Sequence, residues 1–124
     1  MISSEIEHPS VLRPLEVLRR AGTEIVLLPV DYRGRIDPEM LASALSEDTA
    51  LVTLAPANGE IGTLEDLAAL VEVTHRHGAL FHSDATQAVG TEQLGMHDLG
   101  IDLISASAHK IHGPQGIGAL NLDR

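Results

Sequence analysis

At 124 residues the chain is long enough for one core and too short for two ordinary domains. Eight Lys and Arg against eighteen Asp and Glu give a formal charge of −10, which argues against a nucleic-acid partner, since phosphate backbones need concentrated basic side chains. The sequence has no cysteine, hence no disulfide framework, zinc–cysteine cluster or thiol nucleophile in these residues; without a membrane-length apolar run or a signal-peptide plan, the expectation is a soluble cytoplasmic domain with no membrane partner.

Ile2 to Glu7 alternates and reads as a strand. His8-Pro9-Ser10 ends it and starts a helix to about Arg20, striped with Val11, Leu15 and Leu18. Pro14 sits awkwardly in that helix, and Gly22 is a natural stop. Glu24 to Val30 reads as a buried strand. Asp37-Pro38-Glu39 is a strong helix start, with an N-cap, a proline at the first position and an acid at the positive end of the dipole. Thr49 to Ala55 is another apolar strand. After a turn-rich loop, Thr63-Leu64-Glu65-Asp66 opens a helix with a capping-box-like pair, and Gly78 ends it. Ala79 to Ser83 is a strand delivering Asp84-Ala85-Thr86-Gln87. A turn region runs to Gly100, and Ile101 to Ala106 is the strand before Lys110. Gly116 to Leu122 follows a glycine turn so closely that it should run antiparallel. The expected class is therefore α/β: a mostly parallel sheet with flanking helices, the last strand antiparallel.

In open parallel sheets, ligands bind beyond the carboxyl ends of the strands. Those positions hold His8, Asn58, Asp84 with Gln87, and Ser107 with His109 and Lys110. Ordinary solvated loop ends would give part of this set. Pyridoxal phosphate accounts for more of it, because that cofactor needs a lysine for its aldehyde, an acid for its ring nitrogen, and donors for its phosphate and phenolic oxygen. Lys110 could form the Schiff base, helped by any burial that lowers its pKa. Asp84 would keep the ring nitrogen protonated, His8 could stack on the ring, and Ser107 and His109 could hold phosphate oxygens. Asp84 could instead cap the following turn. His75 and His82 read as structural or exposed. His75-Arg76-His77 points its two rings to different helix faces, with no carboxylate at ligand spacing, so no metal site is read.

Four segments together resemble the successive motifs of cysteine desulfurases, the iron–sulfur-cluster group of the class V aminotransferase family. They are Glu7-His8-Pro9-Ser10, Ala57-Asn58-Gly59-Glu60-Ile61-Gly62-Thr63, Phe81-His82-Ser83-Asp84-Ala85-Thr86-Gln87-Ala88-Val89-Gly90 and Ser107-Ala108-His109-Lys110-Ile111-His112-Gly113-Pro114. The resemblance implies that residues 1–124 are part of the large domain of a fold-type I pyridoxal-phosphate enzyme, without its N-terminal segment and small C-terminal domain. It makes Lys110 the Schiff-base lysine, Asp84 the pyridinium partner, Gln87 the ligand of the phenolic oxygen, His8 the stacking and proton-transferring histidine, and Ser107 and His109 phosphate ligands. It implies removal of sulfur from L-cysteine, giving alanine and an enzyme persulfide. A homodimer and a sulfur-acceptor or iron–sulfur scaffold partner are implied as well. Other class V aminotransferases, such as a selenocysteine lyase, and a truncated non-catalytic module stay open as alternatives. Two departures bear on the site. Gly59 replaces the second Asn of the family's Asn-Asn-Glu, so a polar contact is missing unless Asn58 supplies it. Ala108 replaces a usual Gly, a mild change if its φ is negative.

Overall fold

The protein is described by a computed structural model covering residues 1–92 and 94–123. Gln93, inside the stretch read as turn, lies outside the described residues. Six strands form one sheet in the order β2-β1-β3-β4-β5-β6. They are β1 (Ile2–Ser4), β2 (Val26–Leu28), β3 (Leu51–Thr53), β4 (Leu80–Asp84), β5 (Leu103–Ser107) and β6 (Gly118–Leu122). The first five are mutually parallel, and β6 pairs antiparallel with β5 from Leu103↔Leu122 to Ser107↔Gly118. This is the expected mixed α/β sheet with a reversed last strand.

The helices are α1 (Pro9–Arg20), α2 (Pro38–Ala44), α3 (Leu67–Arg76) and α4 (Met96–Leu99). Pro9 occupies the first turn of α1, where its missing N–H costs nothing, but Pro14 lies inside the helix. Asp37 caps α2 by accepting from the Glu39 N–H at 2.9 Å, as its sequence predicts. The start of α3 differs from the expected box. Leu64 forms an isolated bridge with Ala57, the Thr63 hydroxyl donates to the Arg33 carbonyl, and Glu65 accepts from the Ile36 N–H. These contacts keep the three residues out of the helix, and the cap falls to Asp66. α4 is a further difference: a four-residue helix inside the predicted turn region, closed by Gly100 at φ 71°.

Side chains alternate across the strands and give the sheet two unlike faces. Val52, Leu54, Phe81 and Ile101 form one core with Leu41 and Leu45 of the α2 segment and Leu67, Leu70 and Val71 of α3. The intervening residues Thr53, His82, Asp84 and Ser105 line a cleft on the opposite face, together with Leu15 and Leu18 of α1. The apolar face makes the fold, and the polar face makes the site.

Candidate functional site

The cleft has a volume of about 1150 Å³ and collects side chains from the carboxyl ends of β1, β3, β4 and β5. All seven residues singled out from the sequence line it: His8, Asn58, Asp84, Gln87, Ser107, His109 and Lys110. Their states differ, and the differences define what the cleft can hold.

Asp84 ends β4. Its Oδ1 accepts the Thr86 hydroxyl at 2.6 Å, the Thr86 N–H at 3.2 Å and the Ser105 hydroxyl at 3.4 Å. Asp84 does cap the following turn, then, but with one oxygen. Oδ2 makes no hydrogen bond among the described residues, so a carboxylate oxygen remains for a cationic N–H donor.

Lys110 is the only lysine in the sequence and stands exposed on a 3₁₀ turn (Ala108–Ile111) that follows β5. The burial invoked from the sequence is not found. Beside it, the Ser107 hydroxyl and His109 Nδ1 are 2.6 Å apart. His112 takes φ 62° to end the turn, and the Gly113 N–H donates to the Ala108 carbonyl at 2.8 Å. A Cβ on Gly113 would lie 2.7 Å from Ala108 Cβ, so glycine is required there by close approach. Ala108 has no positive φ, as its replacement of glycine requires.

His8 is the N-cap of α1. Its Nδ1 accepts the Ser10 N–H at 3.1 Å and lies 2.7 Å from the Ser10 hydroxyl. The ring is thereby pinned at the cleft mouth, with Nε2 free of partners among the described residues.

Asn58 has its amide committed to the loop. Nδ2 donates to the Ile6 carbonyl at 3.1 Å, and Oδ1 accepts from the N–H groups of Glu60 and Ile61 at 2.9 and 3.2 Å. Asn58 therefore does not supply the contact that Gly59 lacks. Gln87 fills that space instead: a Cβ on Gly59 would lie 2.6 Å from Gln87 Cδ and 2.7 Å from its Nε2.

Glu7 was missed as a site residue although it stands beside His8. It is buried, with Oε1 accepting the Ser4 hydroxyl at 3.1 Å and the Ala55 N–H at 3.0 Å. Oε2 is buried without a partner. Burial pushes the Glu7 carboxyl above its ordinary range; the two donors oppose this, and the charges of Asp84 and Glu65 add to it. His82, expected to be structural or exposed, is half-buried in the cleft floor with Nδ1 2.7 Å from the Thr53 hydroxyl and Nε2 3.2 Å from the Ser105 hydroxyl. Burial lowers its pKa, against a smaller upward pull from Asp84. Strand alternation relative to Asp84 was the available signal, because residues two apart share a face.

The donor set fits an aromatic, phosphorylated aldehyde. One carboxylate oxygen is open to a ring N–H, one amide is uncommitted, a hydroxyl–imidazole pair can meet an anion, and one primary amine is within the same cleft. Among the described residues no group of three His, Cys, Asp or Glu side chains is placed to hold a metal ion. No helix among them is long and apolar enough to cross a membrane.

Comparison with known proteins gives the family and the fold. The class-V aminotransferase pattern matches residues 1–124. A cysteine desulfurase IscS of Dictyoglomus turgidum is 45% identical over 120 residues, spanning 97% of this chain and 30% of that protein. Its counterpart from Azotobacter vinelandii is 45% identical over 124 residues, 100% of this chain and 31% of that protein. The chain thus spans about a third of the length of these relatives. Among solved structures, a NifS-like protein superposes with a TM-score of 0.95 at 34% identity, covering 99% of this chain and 34% of that one. SspA in complex with cysteine superposes at 0.94 with 34% identity, covering 98% and 35%. DndA from Streptomyces lividans superposes at 0.88 with 40% identity, covering 99% and 34%.

Proposed function

The chain belongs to the class-V aminotransferase family, and on that footing we propose that residues 1–124 form part of the large, cofactor-holding domain of a pyridoxal-phosphate enzyme of the cysteine desulfurase type. The observation that carries this reading is the sole lysine, Lys110, sharing one cleft with an uncommitted Asp84 Oδ2 and an uncommitted Gln87 amide. When bound, pyridoxal phosphate withdraws electrons from the α-carbon of an amino acid.

The chain's own residues divide the remaining work. Lys110 Nζ would supply the amine that holds the cofactor covalently. Asp84 Oδ2 would accept from its ring nitrogen and favour the protonated form. The Gln87 amide would donate to the phenolic oxygen, and Ser107 with His109 would bind the phosphate. His8, fixed by Ser10, would stack on the ring and offer Nε2 for proton movement at the mouth.

L-cysteine as substrate is supported by the names of the relatives and by the cysteine complex of a structural neighbour. Through the family resemblance alone, we extend the proposal to an iron–sulfur scaffold or other sulfur acceptor as partner, a homodimeric assembly and a cytoplasmic setting. Desulfuration breaks the substrate C–S bond, transfers sulfur to a thiolate and releases alanine. These 124 residues contain no cysteine, so that thiolate has to come from elsewhere. A second reading is a truncated non-catalytic module that keeps the fold.

Titration of the purified protein with pyridoxal phosphate, followed by absorbance, tests the cofactor assignment. A visible band in wild type that is lost in Lys110→Ala is expected. Wild-type protein without the band would contradict it. Alanine and sulfide assays on cofactor-loaded protein, with and without an added thiol, then separate the enzyme from the module.

A further inference from the structure

Four polar side chains cross the cleft floor in a line, and strand register puts them there. Thr53 of β3 is paired with His82 of β4, and Asp84 of β4 is paired with Ser105 of β5. His82 and Asp84 are two apart on one strand, so all four side chains share the cleft face. The contacts run from Thr53 Oγ1 to His82 Nδ1 at 2.7 Å, from His82 Nε2 to Ser105 Oγ at 3.2 Å, and from Ser105 Oγ to Asp84 Oδ1 at 3.4 Å.

Donor counting gives this line a direction. Asp84 Oδ1 as an anion only accepts, so its 3.4 Å hydrogen bond with Ser105 uses the single Ser105 proton when Ser105 is the donor. The Ser105 oxygen then needs a donor, and His82 Nε2–H is the group in reach. A neutral imidazole with its proton on Nε2 must accept on Nδ1, where the Thr53 hydroxyl stands. On that assignment every proton in the line points toward Asp84.

We propose that His82 is a positioning residue of this site, acting through Ser105 to hold Asp84 as an oriented anion with Oδ2 presented to the cleft. Burial that disfavours the imidazolium keeps the ring in the neutral form the line requires. Other charged and titratable groups also face Asp84. The Asp84 charge reaches Glu7 beyond β1, whose carboxyl it helps to raise, and Lys110, His109 and His8 line the same cleft. The direction of donation is a property of the protein alone; its consequence for the cofactor rests on the reading of Asp84 as partner of the ring nitrogen.

Nitrogen-15 NMR of the imidazoles in purified protein reads the first part, and pyridoxal phosphate affinity as a function of pH reads the second. The expected wild-type state of His82 is neutral with the proton on Nε2 at pH 7, and Ser105→Ala should move the His82 nitrogen signals. In His82→Leu and in Ser105→Ala, the acid limb of cofactor binding should move up by about half to one pH unit, the worth of one hydrogen bond to the anion. His82→Gln, whose amide still donates to Ser105, should return most of that shift; a merely space-filling role would not distinguish Gln from Leu. Cofactor bound by a protein whose His82 carries its proton on Nδ1, or equal pH profiles in wild type and both variants, would overturn the inference and leave the proposed function standing. An Nε2–H imidazole in a protein that binds no pyridoxal phosphate at any pH would sink the proposed function and the role of His82 with it.

Discussion

Asp84 commits one oxygen to structure and leaves the other without a partner among the described residues, a division that a strand end is suited to provide. Oδ1 takes three donors that fix the carboxylate, and Oδ2 is left over. Glu7 shows the opposite economy, a buried carboxyl with one oxygen orphaned and an affinity for protons raised mainly by burial. Because Glu7 holds its proton more tightly folded than unfolded, its contribution to stability is complete below the ordinary value of 4.5. It is lost as pH rises through the folded value. The thermal midpoint of Glu7→Gln should therefore gain on wild type as the buffer is taken from about pH 4 to pH 8; a gap that stays constant across those buffers would show that Glu7 is not raised. Gly59 lies directly against the Gln87 side chain. Any side chain there collides with the Gln87 amide, so Gly59→Ala should turn that amide away. Pyridoxal phosphate affinity should fall by about fivefold, the value of roughly one hydrogen bond, while denaturant unfolding barely changes. Unchanged affinity would remove Gln87 from the cofactor's ligands.

At the scale of elements, the helix starts show where local sequence suffices. Asp37-Pro38-Glu39 caps α2 as its pattern predicts, since everything it needs lies within three residues. Thr63 and Asp66 compete for the start of α3, and the winner is set by partners about thirty residues away, Arg33 and Ile36. Such partners leave no local trace. Asp66→Ala should cost about 1 kcal/mol in urea unfolding, as a lost N-cap does. A cost near zero would return the cap to Thr63. α4 escaped notice because four residues between glycines carry too little periodicity to register. The strand-end residues were legible because a parallel sheet delivers its ligands at predictable positions. His82 was not, because its partners Thr53 and Ser105 lie on neighbouring strands and meet it only once the register is known.

For the whole molecule, the sheet separates two environments. One face is closed by α2 and α3 over an aliphatic core around Phe81, which is fully buried. The other face carries the cleft. Phe81→Ala should cost about 3–5 kcal/mol, as loss of a buried aromatic does. Leu122→Ala, on the edge strand β6 and 57% exposed, should cost no more than about half a kcal/mol. Comparable losses in urea unfolding would mean that β6 is covered in solution. This separation lets polar residues accumulate on one face without weakening the core on the other.

Binding of pyridoxal phosphate through Lys110 is open to direct test, because the sequence holds no other lysine to compete. Borohydride reduction of the protein with pyridoxal phosphate, followed by peptide mass mapping, should place the cofactor's mass on the peptide containing Lys110 and nowhere else. Label on the Met1 amine alone, or no label at all, would contradict such binding.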